Sequence, residues 1–276
     1  MKRYIFGECV KGATHERSGA PLQDSKKIIE VSEHVTILAV ADGHGSSKCP
    51  RSDRGSTMAV NSFCSVISSY LTSYGQDENG MENLLTFLNR EGDMRFAQDV
   101  CEEWQARVKQ SFYKNKDQQY VFADGTFDWK SIYSLYGTTL LGMLITDTFV
   151  FSFQIGDGDI TMVTADTVSP VVEAEKFLGT ETHSLSKENA WRKATTSLRR
   201  KNVEDDTPYL YLISTDGFAN SYVSDDEYRK TCKDYYDMIG QHGFDAVKEN
   251  LGNWLKETSE LGCGDDVTLV LAYFDK

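Results

Sequence analysis

The sequence predicts an α+β fold in which antiparallel sheets are covered by helices. Three observations predict it. Short runs rich in β-branched and aromatic residues, bounded by Gly, Asp or Ser, recur along the chain. They fall in adjacent groups with helical blocks between, which argues against a strictly alternating parallel sheet. The connectors TDTF and GDGD are tight, which suggests consecutive antiparallel hairpins.

Taken in order, strands are expected at 4–10 (YIFGECV), 26–32 (KKIIEVS) and 34–42 (HVTILAVAD). From Ser52 the apolar set Val60, Phe63, Cys64, Ile67 and Leu71 follows helical spacing. Residues 81–113 are helical in character but mixed, with a break near Gly92. Further strands are expected at 138–146, 148–157, 159–165 and 209–216. Residues 224–257 read as two helices meeting near Gly240 and Gly243, and Ser224 with Glu227 has capping-box spacing. A last strand is expected at 266–274, and the basic run LRRKN, 198–202, reads as a solvated segment.

The 276 residues suffice to bury one large core, and four prolines provide no Pro-rich linker, so residues 1–276 are expected to form a single domain. A net charge of −13, from 29 basic and 42 acidic side chains, argues against nucleic acid as a general partner. No apolar run approaches the ~20 residues of a membrane span. The amino-terminal stretch lacks the apolar core of a signal peptide, so a cytoplasmic location without membrane contact is expected. Cys9, Cys49, Cys64, Cys101, Cys232 and Cys263 show neither zinc-ribbon nor redox-pair spacing and read as reduced thiols.

Chemistry enters at the strand ends. ILAVAD ends in Asp42, FSFQIGD reaches Asp157, YLYLISTD ends in Asp216, GCGDDVTLVL offers Asp265 and Asp266, and Asp24 precedes a strand. One Asp-Gly after a strand reads as a turn. Recurrence is more informative, because strand ends in a layered fold can converge on one edge. Converged carboxylates take up protons or bind cations. An all-oxygen, carboxylate-rich site selects hard ions such as Mg²⁺ or Mn²⁺. Two such ions can share a bridging hydroxide suited to in-line attack on phosphorus.

At these residues the chain resembles the metal-dependent protein serine/threonine phosphatases of type 2C, and in particular a variant bacterial subgroup. Six segments match in order: LQDS (22–25), VADGHG (40–45), YGTTLL (136–141), IGDGDI (155–160), STDGFAN (214–220) and GDDVTLVL (264–271). The resemblance implies a four-layer α-β-β-α sandwich with two antiparallel sheets flanked by helices. It implies two Mn²⁺ or Mg²⁺ ions held by Asp24, Asp42, Asp216 and Asp265 with the Gly43 carbonyl. A third, weaker ion would sit at Asp157 with Asp216. His44 matches a proposed general acid. The activity implied is hydrolysis of phosphoserine and phosphothreonine in proteins by a metal-bridging hydroxide. Phosphorylated proteins, including a cognate kinase or its targets, would be the partners of a monomeric enzyme.

The chain departs from the pattern in places. The phosphate-gripping Arg of the family falls on Gly19, and Arg17, in THERSGAPLQD with His15, is the candidate replacement. IGDGDI lacks the usual Ser-Arg after its Asp. The counterpart of Asp266 is usually Asn, so Asp266 is expected to hydrogen-bond its loop; Thr138 and Thr139 are expected to bond within the sheet. A helical insertion is expected at about 75–130 and a short flap at about 171–207. The missing Arg leaves open a weakly active or inactive relative that serves as a phosphoprotein-binding scaffold. The short flap leaves open a hydrolase of small phosphate esters.

Overall fold

In the computed structural model, residues 2–75, 79–172, 182–201 and 207–275 are described. One sheet contains β1 (Lys2–Val10), β6 (Asp159–Val163), β7 (Val168–Pro170), β9 (Tyr209–Ser214) and β10 (Val267–Asp275), in the order β1-β10-β9-β6-β7. The other contains β2 (Ser25–Ser32), β3 (Val35–Ala41), β4 (Leu140–Ile145), β5 (Phe149–Ile155) and β8 (Thr195–Arg200), in the order β2-β3-β4-β5-β8. Every neighbouring pair is antiparallel. Helices α2 (Ser52–Tyr74), α3 (Gly80–Glu91) and α4 (Ala97–Lys114) cover the second sheet. Helices α7 (Asp225–His242) and α8 (Phe244–Leu261) cover the first. The fold is the four-layer sandwich expected. Among the described residues no helix is long and apolar enough to cross a membrane.

Burial on both faces explains why the central strands read as unbroken apolar runs. Along β3, Ile37, Ala39 and Ala41 pack towards the helices with Phe63 and Trp104. Leu38 and Val40 alternate with them and pack between the sheets against Tyr211, Ile213 and Val270. In β10, Leu269, Leu271 and Tyr273 face α7 and α8, whereas Val270, Ala272 and Phe274 face the other sheet. At the start of α7 the Ser224 hydroxyl accepts the Glu227 N–H at 3.2 Å, and the Glu227 carboxylate accepts the Val223 N–H at 3.3 Å. This end is therefore capped much as the spacing predicts. Near Gly92 the helical path does not break; a π-helical turn, Gly92–Phe96, joins α3 to α4.

Two sequence expectations need correction. TDTF is a hairpin, closed by Thr146 N–H to the Phe149 carbonyl at 2.9 Å. GDGD is not: β5 pairs with β4 and β8, whereas β6 pairs with β7 and β9. This connector carries the chain from one sheet to the other, because tight-turn residues encode a change of direction but not which strand becomes the partner. The LRRKN run is not simply a solvated segment either. Leu198, Arg199 and Arg200 belong to β8, the edge strand beside β5. Leu198 packs on the core while both arginines are exposed, as charged edge strands arrange themselves.

Between α4 and β4 lies the short α5 (Trp129–Ser134). Within the segment expected to form a flap, 195–200 are β8, and 173–181 and 202–206 lie outside the described residues. All six cysteines are free.

Gly142, mid-β4, faces the ring of Phe63 on α2, and an added Cβ would lie 2.4–2.5 Å from three ring carbons. Phe63 is fully buried and packs edge-on to Phe96 at 5.9 Å, so the ring has no room to retreat. Gly142→Ala is expected to destabilise the fold by about 1–3 kcal/mol in urea titration. Adding Phe63→Leu, which shortens the clashing group, should cost less than the two changes summed.

Candidate metal centre at the sandwich edge

The site begins with the backbone of Asp42. Its N–H donates to Thr139 Oγ1 at 3.0 Å, and its carbonyl accepts Thr139 N–H at 2.8 Å and Thr138 Oγ1 at 2.7 Å. Gly43 sits opposite Thr138 in an isolated antiparallel bridge, closed by His44 N–H to Gly137 carbonyl at 3.1 Å and by the Thr139–Asp42 bond. Gly43's own carbonyl is outside that pairing. A Cβ at Gly43 would lie 2.6 Å from the Ser52 carbonyl oxygen and 2.7 Å from that of Gln23, so only glycine fits.

Asp24 enters from the head of β2 and is buried. Its Oδ2 accepts Thr215 Oγ1–H and Thr268 Oγ1–H, each at 2.7 Å. Those threonines come from the opposite sheet's β9 end and β10, so one carboxylate oxygen ties the two sheets together. Asp216 opens α6 (Asp216–Ala219) directly after β9, and its Oδ2 accepts from Asn220 at 2.9 Å. Asp265 is exposed and accepts Asp266 N–H at 2.8 Å. Asp157 lies in the crossing between β5 and β6, and among the described residues its buried Oδ1 has no hydrogen-bond partner.

Electrostatics shows the convergence. Burial pushes the Asp42 carboxyl well above its ordinary range, and Asp24, Asp216, Asp265 and Asp157 all add to the push. Burial likewise raises Asp24 to about 7 against the hydrogen bonds from Thr215 and Thr268, with Asp266 and Asp216 adding. Asp216 is raised to about 7 by burial, then by Asp157 and Asp265. His44 is lowered by burial, while Asp157 pulls it back up and Lys187 opposes.

These carboxylates stand in one another's field, yet among the described residues no three His, Cys, Asp or Glu side chains close on one point as a finished cage. The donor set is all oxygen, carboxylate-rich, partly buried and includes an orphaned Asp157 Oδ1, which fits hard divalent ions.

Arg17 is exposed, and its Nη2 donates to Thr14 Oγ1 at 3.2 Å within α1 (Ala13–Ser18). What sequence reasoning underrates is the Asp266–His15 pair. Asp266 is 3% exposed. Its Oδ1 accepts Gly12 N–H and its Oδ2 accepts Gln23 N–H, both at 2.7 Å. His15 Nδ1 lies 2.8 Å from Oδ1, off the hydrogen-bond line. His15 Nε2 is 3.6 Å from where a Gly45 Cβ would sit, beside the loop that carries His44. The hint in the sequence was a histidine two residues before the displaced arginine.

Asp24 and Asp216 have ordinary values of 3.8 and folded values of about 7. The folded chain therefore binds more protons than the unfolded chain across that window, and stability falls as pH rises through it. One such shift, taken alone, is on the order of 4 kcal/mol. That is large against a domain stability of about 5–15 kcal/mol. The metal-free protein is expected to melt at a higher temperature near pH 5.5 than near pH 7.5. Asp216→Asn should flatten that difference, which isolates the site from other titrating groups; an unchanged slope would mean the carboxylates do not feel one another.

Residues 11–256 match the family described as protein phosphatase 2C. No curated protein matches the chain. Among solved structures, the chain is similar to the Mycobacterium tuberculosis serine/threonine phosphatase PstP/Ppp, at 15% identity and TM-score 0.59 with 100% of both chains covered. It is also similar to the catalytic domain of PstP solved in complex with 2 manganese ions, at 16% identity and TM-score 0.56 with 99% of each chain covered. PppA, a key regulatory component of T6SS in Pseudomonas aeruginosa, is 13% identical with TM-score 0.57 and 99% of each chain covered. At these identities the structural likeness is one of fold. The family match, spanning most of the sequence, establishes that the chain belongs to the protein phosphatase 2C family.

Proposed function

We propose that this chain is a metal-dependent phosphatase that removes phosphate from serine and threonine in proteins. The observation that carries the reading is the field at Asp42, where four other aspartates from separate strand ends act together. Asp24, Asp42, Asp216 and Asp265 would hold two divalent ions with the Gly43 carbonyl, and Asp157 with Asp216 would hold a third. Manganese is the metal of choice on the strength of the PstP complex, with magnesium the alternative. When bound, such ions acidify water and offset the negative charge that gathers on a phosphoryl group.

The chain's own groups do the rest. Thr138 and Thr139 fix the Asp42 backbone, and Thr215 and Thr268 fix the Asp24 side chain. His44 starts out neutral because burial disfavours its cation. A phosphate dianion beside it favours the protonated form, as Asp157 does. His44 can then give its proton to the departing serine or threonine oxygen. The substrates would be phosphorylated proteins, among them a cognate kinase or its targets. We retain one catalytic domain over residues 1–276, with a helical insertion at about 75–130. Gly19, where the family has its phosphate-gripping Arg, motivates a second reading, a relative that binds phosphoproteins without turnover.

Phosphate release from a phosphothreonine peptide and from a small aryl phosphate is expected with Mn²⁺ and not with EDTA. Asp42→Asn should abolish both, and Arg17→Ala should leave both nearly unchanged. His44→Ala should lower kcat on the peptide by about 10²–10⁴-fold. Its effect on the aryl ester should be smaller, because a phenolate leaves without a proton. Absence of metal-dependent turnover on either substrate would leave the binding reading in place.

Mn²⁺ should also raise the melting temperature near pH 7.5 more than near pH 5.5, because protons and cations compete for the same carboxylates.

A further inference from the structure

The strands that deliver the aspartates have a second end. β3 starts beside Thr36 and ends before Asp42, β5 starts after Thr148 and ends before Asp157, and β9 runs from Tyr209 to just short of Asp216. β10 runs the other way, from Val267 to Asp275. At this far end, about 20 Å from the carboxylates by strand length, a cavity of about 810 Å³ opens between the sheets, lined by Thr36, Thr148, Tyr209 and Phe274 among others.

The chain carries a net charge of −13, yet this cavity collects Lys2, Arg3, Arg199 and Lys201 against Glu30, Glu33 and Asp147. Arg3 Nη2 donates to the His34 carbonyl at 2.7 Å and pairs with Asp147, which also holds His34 Nδ1 at 2.5 Å. Among the described residues Arg3 Nη1 is buried with no hydrogen-bond partner. A buried guanidinium donor left unsatisfied needs an explanation, and a bound acceptor is the direct one. Lys201 Nζ stands 4.5 Å from the centre of the Phe274 ring. Burial, then the positive charge of Arg3, brings its ammonium down to about 8, so an arriving anion would relieve that repulsion. Tyr211 and Phe274 are buried in the core between the sheets, and Phe274 stacks on the half-buried Tyr209 at 4.6 Å, so Tyr209 is the accessible part of this aromatic cluster.

We propose that this cavity binds a small aromatic oxyanion, with Arg3 Nη1 and Lys201 Nζ taking the charged group and Tyr209, backed by Phe274, taking the ring. The anionic group is of phosphate, sulfonate or carboxylate type, which a guanidinium and an ammonium recognise alike. The cavity is within the size range of small-molecule sites. The proposal does not depend on the phosphatase reading, because it uses none of the residues at the carboxylate edge.

Naphthalene-1-sulfonate tests it, being aromatic, anionic and not a phosphate ester. Calorimetric titration of the full chain is expected to give saturable one-to-one binding. Arg3→Met and Lys201→Met should each weaken it by about tenfold or more. Lys201→Arg should keep it, and Asp216→Asn should leave Kd unchanged. Uncharged naphthalene-1-methanol should bind far more weakly. Melting curves report whether each variant folds; if Arg3→Met does not, the Lys201→Met and Lys201→Arg pair decides alone. Affinity that survives loss of the cations, affinity lost with Asp216→Asn, or no saturable heat with the sulfonate would each overturn the proposal.

Discussion

Repulsion among the aspartates is the constraint around which this molecule is arranged. Two ionised carboxylates at ~4 Å cost on the order of 4 kcal/mol at an effective dielectric near 20. A whole domain is stable by about 5–15 kcal/mol. Asp24, Asp42, Asp157, Asp216 and Asp265 could not all stay ionised in one another's field without protons or cations to offset them. The backbone must also hold them in place when neither is fully bound. It does so by concentrating polar contacts there: two hydroxyls on one oxygen of Asp24, and both backbone groups of Asp42 bonded to Thr138 and Thr139.

The layered architecture explains why these charges sit at strand ends. Each sheet is buried on both faces, by helices outside and by the other sheet inside. A charge in mid-strand would have no water on either side. The sandwich edge is the nearest place where one oxygen can be buried and another left accessible. The crossing after β5 puts Asp157 there, because the chain must leave one sheet and enter the other at that edge. A hairpin at GDGD would have kept β6 in the β5 sheet and drawn Asp157 away from Asp216.

What could be read in the sequence follows from the same physics. VTILAVA declares a strand buried on both faces, and β3 is Val35–Ala41. Ser224 and Glu227 declare a helix start through a contact three residues long. Local signals of this kind survive into the structure. β8 was illegible because an edge strand with a single apolar anchor, Leu198, resembles a charged loop. Arg17 could be placed near the first acidic segment by spacing, but not aimed, since a six-residue helix turned it towards Thr14. The bonds of Asp266 to Gly12 and Gln23 span 254 and 243 positions, and no local pattern encodes them.

Asp266 also shows why two departures from the family pattern belong together. Gly12 and Gln23 present two backbone N–H donors, one to each oxygen of this side chain. An asparagine has one acceptor oxygen and an NH₂ group, so it would point a donor at one of them. A carboxylate satisfies both but brings a buried negative charge into a neighbourhood already crowded with aspartates, where it adds to the push on Asp24. His15 Nδ1 stands 2.8 Å from that carboxylate. The two bonds of Asp266 tie Gly12 and Gln23, and so both ends of the segment that leads to Asp24, to the start of β10. In this chain, then, the segment that lacks the usual arginine plays a structural part, because it holds one end of the carboxylate group still.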